Sequence, residues 1–257
     1  MNKDAATMDN YYAMERYKKI KELLENENKL TVKDIATTLY VSPATVRRDL
    51  SAMQTLGMIR RIRGGALVKN DSKEASILLR KEENIAEKIR IGSIAAKYIP
   101  EFKSIFIDNS STCLAFLRQF DFSYKTVVTN GLQCALELSR NDKCNLILLG
   151  GKIWSQTDST DGPYSLQMLK DFHIDLMLSS CACIRKDGTY EVSPDTSLLK
   201  KTAYGITEKH ILLIDKTKFI KDTIYHTKSL RDYDLIVTDA GEDVLKDYRG
   251  LGNFVNN

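Results

Sequence analysis

The chain has 257 residues, of which 43% are hydrophobic and 28% are charged, proportions that are ordinary for a folded globular protein and that argue against a disordered one. No apolar run approaches the ~20 residues that cross a bilayer, and the polar N-terminus lacks the apolar core of a signal peptide, so we expect a cytoplasmic protein without a membrane partner. The five cysteines are odd in number and lack the spacing of a disulfide framework, so we expect reduced thiols, no bound metal and no other cofactor.

The excess of positive charge lies in the first 70 residues. They carry 13 Lys and Arg against 8 Asp and Glu, a net charge of +5, whereas the remaining 187 residues carry 25 against 26. Because attraction to phosphate requires clustered cations, this asymmetry predicts a nucleic-acid-binding domain at the N-terminus. The rest of the chain is long enough for a second domain.

The N-terminal segment has the pattern of two helices followed by a short turn. Apolar residues recur at helical spacing from Tyr11 to Leu24 and predict the first helix. A second helix is predicted from Thr31 to Leu39, because Thr31 can act as N-cap and Asp34, three residues later, can complete a capping box. Only Tyr40 and Val41 separate this helix from Ser42, which is the turn length of a helix-turn-helix.

The helix after this turn has the features of a DNA-recognition helix. Ser42 can cap its first turn and Pro43 suits the first helical position. Its apolar face is formed at helical spacing by Val46, Leu50, Met53 and Leu56. Thr45, Arg47 and Arg48 lie off that face near the N-terminal end, which is the end that enters a major groove.

A basic hairpin follows the recognition helix. Strand-like Met58-Ile59 leads into Arg60, Arg61 and Arg63, and Gly64-Gly65 is a turn signal. Two helices and a basic hairpin in this order outline a winged helix-turn-helix; the alternative is a small helical bundle whose arginines are merely solvated. The predicted DNA-binding residues are Thr31, Ser42, Pro43, Thr45, Val46, Arg47, Arg48, Arg60, Arg61, Arg63, Gly64 and Gly65.

The runs V-S-P-A-T-V-R-R-D-L and R-G-G-A resemble the fingerprint of the DeoR-type winged helix of bacterial transcription regulators, over roughly Tyr11 to Val68. The resemblance implies a protein that binds double-stranded operator DNA, usually as a repressor of a carbohydrate-use operon. We therefore expect a winged helix-turn-helix domain at 1–68.

The second part of the chain begins with a polar, unpatterned stretch, and we expect a linker at 69–83 and a second domain at 84–257. From Lys103 onward, short apolar strands alternate with polar loops and helical segments, which predicts an α/β domain with an open, mainly parallel sheet. The six predicted strands are residues 104–107, 126–128, 146–149, 176–178, 211–214 and 235–237.

Polar residues follow these strands, and in open α/β sheets ligands bind outside the carboxyl ends of the strands. Hydroxyl and N–H groups at Ser110-Ser111-Thr112 suit a phosphate, Gly150-Gly151 permits close approach of the backbone, and Lys218 can supply a cation. Each residue alone could equally be a helix cap, but their recurrence at several strand ends favours a ligand site. The predicted ligand-binding residues are Asp108, Ser110, Ser111, Thr112, Thr129, Asn130, Gly150, Gly151, Asp215 and Lys218.

The resemblance extends over roughly Leu79 to Asp239, which looks like the DeoR sensor domain and is similar to the folds of sugar-phosphate isomerases and glucosamine-phosphate deaminases. It adds Lys200 to the effector-binding residues and implies that a phosphorylated sugar or similar metabolite binds there and changes operator affinity. Because one winged helix buries little surface on DNA, we expect a homodimer or homotetramer formed through the C-terminal half.

The chain departs from the family pattern at the predicted sensor site. Ser110 replaces the glycine of D-x-G-T-T, residues 179–183 replace a glycine-containing loop, and the acidic residue expected near Lys200, around residues 195–197, is absent. One alternative is therefore a DNA-binding regulator whose sensor domain serves only oligomerisation. An enzyme similar to the isomerases is a weaker alternative, because no carboxylate is grouped with His or Lys as a catalytic set, and we expect no catalytic residues.

Overall fold

The computed structural model describes residues 3–27, 29–56, 58–68 and 77–256. The chain divides into two compact units, Met1–Ser76 and Ile77–Asn257. Of the predicted linker, residues 69–76 lie outside the described residues, and residues 77–83 belong to the second unit, which therefore begins before the predicted position 84. None of the helices in the described ranges is long and apolar enough to span a membrane.

The first unit is a helical domain with a small antiparallel sheet. Its elements are α1 (Lys3–Glu27), β1 (Lys29–Thr31), α2 (Val32–Thr38), α3 (Pro43–Thr55), β2 (Ile59–Ile62) and β3 (Gly65–Val68). The first helix is longer at both ends than the predicted Tyr11–Leu24. Strand β1 was not predicted; it pairs with β3, so that the sheet has the order β1-β3-β2 and the basic hairpin is anchored to the body of the domain.

Both predicted helix caps are present. Thr31 and Asp34 form a capping box at α2, with the Asp34 amide donating to the Thr31 hydroxyl at 3.2 Å and the Thr31 amide donating to the Asp34 carboxylate at 3.2 Å. At α3 the amide of Thr45 donates to Ser42 Oγ at 3.1 Å, and Pro43 occupies the first turn. These short-range hydrogen bonds fix where each helix begins, which is why sequence alone located both starts.

A partly buried ion pair joins the first helix to the recognition helix α3. Arg16 donates from Nε and Nη2 to the two carboxylate oxygens of Asp49, at 2.8 and 3.0 Å. Asp49 is only 1% exposed. Because a bidentate pair fixes distance and direction together, it sets the rotation of α3 against α1 beside the apolar core of Ile20, Val46 and Leu50.

Removing Arg16 tests this pair. We expect Arg16→Ala to lower the free energy of unfolding of the first unit by about 2–3 kcal/mol, because the Asp49 carboxylate then stays buried without its cation. Urea unfolding followed by circular dichroism measures the change, with Lys19→Ala on the exposed side of the same helix as control. The double variant Arg16→Met, Asp49→Leu should recover most of the loss, and equal stability of Arg16→Ala and the parent chain would contradict the assignment.

The second unit is an α/β domain. Its first half contains α4 (Ile77–Arg80), α5 (Ile85–Tyr98), β4 (Ser104–Ile107), α6 (Ser111–Leu117), β5 (Thr126–Thr129), α7 (Leu132–Leu138), β6 (Asn145–Leu148), β7 (Ile153–Trp154), β8 (Ser159–Thr160) and α8 (Pro163–Leu169). Its second half contains β9 (Ile174–Ser179), β10 (Cys183–Arg185), β11 (Gly188–Glu191), α9 (Pro194–Ile206), β12 (Thr207–Ile214), β13 (Tyr225–Lys228), β14 (Leu235–Thr238), α10 (Glu242–Leu245) and β15 (Phe254–Val255). Short 3₁₀ helices cover Lys216–Phe219, Leu230–Asp232 and Lys246–Tyr248.

Seven of these strands form one parallel sheet with the order β15-β14-β12-β9-β4-β5-β6, and every neighbouring pair is parallel. The six predicted strands are all in it. The sheet has a core on each face, as alternating residues of β4 show: Ile105 and Ile107 pack with Ile91 and Leu114 on one side, whereas Phe106 packs with Leu199 on the other. Burial on both faces explains why these strands are continuous apolar runs.

The prediction missed the smaller strands. The edge strand β15 has only two residues, and the hairpin β7-β8 and the sheet β10-β11-β13 are short and contain polar side chains. The three-stranded sheet is antiparallel throughout. It matters for the site because β11 ends at Glu191, whose side chain reaches the carboxyl ends of the main strands.

Candidate DNA interface and strand-end site

The recognition helix presents its basic residues to solvent. Arg47 and Arg48 are exposed on α3. Thr45 is half-buried, and its hydroxyl lies 2.9 Å from Ser42 Oγ. The N-terminal end of α3 therefore carries two exposed guanidinium groups beside small hydroxyl side chains. Guanidinium groups donate to guanine edges in the major groove and to backbone phosphates.

Several predicted DNA-binding residues have contacts that build the helices. Val46 is 0% exposed and packs in the core of the unit, so its inclusion among the DNA contacts was wrong. The hydroxyl of Thr31 lies 2.6 Å from the carboxylate of Asp34. Ser42 caps α3 and Pro43 opens it. The described contacts of these four residues give them roles in folding the helix-turn-helix.

The wing is fixed to the recognition helix by one of its arginines. Arg60, Arg61 and Arg63 are all exposed on or beside the hairpin, and Arg61 Nη1 donates to Ser51 Oγ of α3 at 3.1 Å. This hydrogen bond holds the basic hairpin alongside α3. Wing and helix thus both carry exposed arginines and are joined by a hydrogen bond, an arrangement that suits a common DNA target.

The two wing glycines have steric reasons to be glycine. Gly64 has φ +82°, a left-handed turn conformation that favours glycine. A Cβ on Gly65 would lie 2.0 Å from the carbonyl oxygen of Leu30, because Gly65 of β3 is paired with Thr31 of the neighbouring strand β1. The prediction that these residues contact DNA stays untested; the structure shows that they shape the wing.

In the second unit, the predicted ligand site lies at the carboxyl ends of the sheet strands, and we call it the strand-end site. There a buried lysine, Lys200, is hydrogen-bonded to the ends of three elements. Lys200 Nζ on α9 donates to the carbonyl of Ser180 at 2.7 Å and to Glu191 Oε1 at 2.6 Å, and it lies 3.0 Å from Asp108 Oδ2. A lysine has three N–H donors, so these acceptors use all of them. Lys200 has two acidic partners, and neither lies around residues 195–197: Glu191 ends β11 and Asp108 directly follows β4.

The protonation states of this cluster are mutually stabilised. Burial disfavours the ammonium of Lys200, but Asp108 and Glu191 outweigh burial and hold the pKa of Lys200 well above its usual value. Burial likewise opposes ionisation of Asp108, while Lys200, the Ser110 side chain and the Ser180 amide keep the pKa of Asp108 below its usual value. The amides of Ser110 and Ser180 donate to the Asp108 carboxylate at 3.0 and 2.9 Å. Lys200 and Asp108 are therefore both charged at neutral pH.

A second polar cluster lies beside the first. Asn130 Nδ2 donates to Asp161 Oδ1 at 2.9 Å, and Thr196 Oγ1 donates to Asp161 Oδ2 at 3.1 Å. Thr196 is one helical turn before Lys200 on α9, and Asn130 follows β5 as Asp108 follows β4, with Ile107 and Thr129 paired in the sheet. The two clusters form one buried group at the carboxyl ends of β4, β5 and β9, which we call the strand-end cluster.

One atom of this cluster has no hydrogen-bond partner among the described residues. The side-chain oxygen of Asn130 is buried and unpaired. Exchange of the amide nitrogen and oxygen would place two acceptors together, because the other atom faces the carboxylate of Asp161, so the assignment is fixed by chemistry. Asn130 thus offers an unused acceptor at the end of β5.

The hydroxyl residues after β4 and β5 are buried and mostly organise backbone. Ser110 caps α6 by accepting from the Cys113 amide at 3.2 Å, and Thr129 Oγ1 accepts from the Gly131 amide at 3.1 Å. Ser111 and Thr112 are 6% and 2% exposed and open α6 beside Asp108. Ser110, which replaces the expected glycine, therefore acts as a helix cap.

Gly150 and Gly151, which follow β6, lie at one border of this region. Asp215 and Lys218, which follow β12, lie at the other, and we call this part of the site the β12 end. Ser165 Oγ donates to the Gly150 carbonyl at 2.8 Å, and a Cβ on Gly151, which has φ +139°, would lie 2.9 Å from that same Oγ. Asp215 is 2% exposed and caps the 3₁₀ helix that contains Lys218. Lys218 is half-buried. The described residues contain no group of three or more His, Cys, Asp or Glu side chains that could hold a metal ion.

Lys88 is a buried cation that is not among the predicted site residues. It is 4% exposed, and its ammonium donates to the backbone carbonyls of Arg80 and Glu83. Burial lowers the pKa of Lys88 to about 8; the carboxylate of Asp215 acts in the opposite direction, and the charge of Lys218 lowers the pKa further. Lys88 therefore links the β12 end of the site with the turn that connects α4 and α5.

Sequence reasoning missed Asp161, Thr196 and Glu191 as members of the site. Asp161 precedes Gly162 and Pro163, the start of α8, so an acid before a Gly-Pro helix start was an available signal. Glu191 ends an unpredicted strand, and Thr196 sits in a helix start where a hydroxyl is expected for capping.

Family models match both units. Residues 16–72 match the DeoR-like helix-turn-helix domain and residues 83–240 match the DeoR C terminal sensor domain. Together with the geometry above, these matches define a DNA-binding transcription regulator and not an enzyme. The chain belongs to the DeoR family of transcription regulators, as its sequence motifs predicted.

Individual proteins are similar over nearly the whole chain. The HTH-type transcriptional regulator GolR of Listeria innocua is 33% identical over 231 residues, covering 89% of this chain and 91% of the relative. The Glycerol-3-phosphate regulon repressor of Escherichia coli is 28% identical over 228 residues, covering 88% and 90%. Among solved structures, ribose 5 phosphate isomerase A from Neisseria gonorrhoeae is 15% identical and covers 51% of this chain and 52% of its own, with a TM-score of 0.37.

The depressed pKa of Lys88 predicts a pH dependence. Between pH 8 and the ordinary lysine pKa near 10.5, the folded chain has released this proton and the unfolded chain has kept it, so the free energy of unfolding rises with pH. Relative to Lys88→Met, the parent chain should gain on the order of 2 kcal/mol between pH 7 and pH 10. Urea unfolding across this range measures the gain, with Lys97→Met, on the exposed side of the same helix, as control. Parallel curves for the parent chain and Lys88→Met would contradict the assignment.

Proposed function

We propose that this regulator is a repressor that binds operator DNA through α3 and the wing, and that a phosphorylated sugar or related metabolite bound at the strand-end site changes its operator affinity. The observation that carries the DNA-binding mode is the capped N-terminal end of α3, where Arg47 and Arg48 are exposed and Arg61 of the wing is hydrogen-bonded to Ser51. Relatives named as repressors, including the one from Escherichia coli, support the repressor assignment.

The charges of the strand-end site suggest how such an effector is oriented. The strand-end cluster has three carboxyl groups, those of Asp108, Asp161 and Glu191, and a single ammonium, that of Lys200, whose donors are all used. The β12 end has two ammonium groups, Lys88 and Lys218, near the carboxylate of Asp215. A phosphate is therefore favoured at the β12 end.

Hydroxyl groups are favoured at the opposite end. Asn130 Oδ1 is an unused acceptor there, and a buried acceptor without a partner costs free energy that a ligand hydroxyl would recover. The name of the Escherichia coli relative, a repressor of a glycerol-3-phosphate regulon, joins a phosphate and hydroxyl groups in one small molecule. A phosphorylated sugar or polyol carries both kinds of group.

The proposed route from the site to the DNA-binding unit begins at Lys88. An anion near the β12 end would attract the ammonium of Lys88, whose hydrogen bonds to the carbonyls of Arg80 and Glu83 hold the turn between α4 and α5. These residues belong to the first segment of the second unit. Effector and operator would then influence each other's affinity reciprocally, within the homodimer or homotetramer that tight operator binding requires.

A second candidate is a regulator whose sensor domain serves only oligomerisation. It is favoured by Lys200, whose ammonium is satisfied by protein groups alone, and by Ser110, which stands in place of the expected glycine and caps α6. The two candidates differ in whether a small molecule stabilises the second unit.

Arg47→Ala tests the DNA-binding mode. We expect about a tenfold or greater loss of operator affinity at fixed salt, because one guanidinium contact to a base or phosphate is removed. Fluorescence anisotropy with a labelled operator measures it, and Arg140→Ala, which removes one exposed charge from the second unit, is the control. Unchanged affinity of Arg47→Ala would exclude this docking of α3.

A thermal-shift screen tests the effector. Phosphorylated sugars and polyols, each paired with its unphosphorylated form, should include one phosphorylated compound that raises the melting temperature, because a ligand that binds the folded state stabilises it by RT ln(1 + [L]/Kd). Asn130→Ala and Lys218→Ala should reduce that shift. A panel without any shift would favour the oligomerisation-only sensor.

A further inference from the structure

The turn between α2 and α3 contains an exposed tyrosine in an unusual backbone conformation. Tyr40 is 95% exposed and has φ +53°, in the left-handed region. Its side chain is thus almost wholly in solvent at the centre of the helix-turn-helix. It lies two residues before Ser42, the N-cap of the recognition helix.

The backbone around Tyr40 explains why this position is left-handed. The amide of Val41 donates to the Ala36 carbonyl at 3.1 Å, and the amide of Tyr40 donates to the Thr37 carbonyl at 3.4 Å. These two hydrogen bonds are those of a Schellman motif that ends α2, with Tyr40 at the position after the C-cap. Glycine is the usual residue there, because any side chain costs folding free energy in the left-handed conformation.

The left-handed backbone at Tyr40 therefore costs folding free energy. The side chain is 95% exposed, so its packing recovers little of that cost. In helix-turn-helix proteins the first helix of the motif crosses the DNA backbone and the second enters the major groove. The turn that contains Tyr40 connects the two corresponding helices, α2 and α3. Tyrosine hydroxyls are among the groups that donate to phosphate oxygens at such interfaces.

We propose that Tyr40 is a DNA-contacting residue whose hydroxyl donates to an operator phosphate at the edge of the groove that α3 enters. The inference rests on the proposed docking of α3 and adds a neutral contact to the arginines already assigned. A neutral contact to phosphate positions the protein and does not read sequence, so it supports specific and non-specific binding alike.

Two substitutions in the full-length chain test the proposal. Tyr40→Phe retains the ring and the backbone cost but removes the hydroxyl, and it should weaken operator binding about tenfold, as expected for one hydrogen bond to a charged group. Non-specific DNA should lose a similar factor. The slope of log affinity against log salt should not change, because no cation is removed.

Tyr40→Gly separates folding from binding. It relieves the backbone cost, so amide exchange in α2 and at the start of α3 should slow about fivefold, while operator binding weakens at least as much as for Tyr40→Phe. A gain in stability together with a loss of affinity is the expected signature. A purely structural role for Tyr40 would move both quantities in the same direction.

Tyr124 offers a matched control. It is also exposed, at 81%, and left-handed, with φ +63°, but it lies in the second unit. Tyr124→Gly should stabilise its own turn and leave operator affinity unchanged.

Wild-type affinity of Tyr40→Phe and Tyr40→Gly, together with weaker binding of Arg47→Ala, would overturn the role of Tyr40 and leave the docking of α3 intact. Wild-type affinity of all three variants would overturn both. If the Tyr40 variants instead changed the sedimentation of the DNA-free protein without changing its operator affinity, Tyr40 would contact a second copy of the chain, and the proposal would also fail.

Discussion

The ammonium of Lys200 is the interaction on which the second unit depends. It lies where three chain segments come together: the end of β4 through Asp108, the end of the neighbouring β9 through Ser180 and the end of β11, in a different sheet, through Glu191. The carboxylate of Asp108 is fully buried, and Lys200 is the largest of the influences that keep its pKa below the usual value. Because each N–H donor has its own acceptor, Lys200 fixes the directions of three chain segments together with their charge.

The first unit uses the same physical device on a smaller scale. The carboxylate of Asp49 is buried on the inner side of the recognition helix and accepts hydrogen bonds from Nε and Nη2 of Arg16. This pair orients α3 around its own axis, whereas the cap of Ser42 fixes where α3 begins. Orientation and starting point together decide which side chains face outward, so the exposure of Arg47 and Arg48 follows from a buried contact on the opposite face.

Local signals predicted what local interactions decide. The starts of α2 and α3 were predicted because their caps are made within three residues, and the main strands because burial on both faces requires apolar runs. The pairing of Arg16 with Asp49 was not predictable, because the partners are 33 residues apart and no periodicity connects them. Val46 is instructive in another way: the same spacing that placed it on the apolar face of α3 already excluded it from DNA.

The partners of the strand-end cluster show why the site was only partly predictable. Asp108, Asn130 and Lys200 follow strands or match a family motif, but Asp161 and Glu191 become members only through the path of loops and of a small antiparallel sheet. In a buried polar side chain that only stabilises the fold, every polar atom is expected to be hydrogen-bonded. The side-chain oxygen of Asn130 is buried without a hydrogen-bond partner among the described residues. An acceptor kept buried and unpaired beside Asp161 is unfavourable for the chain alone, and a hydroxyl donor at that place would recover the cost.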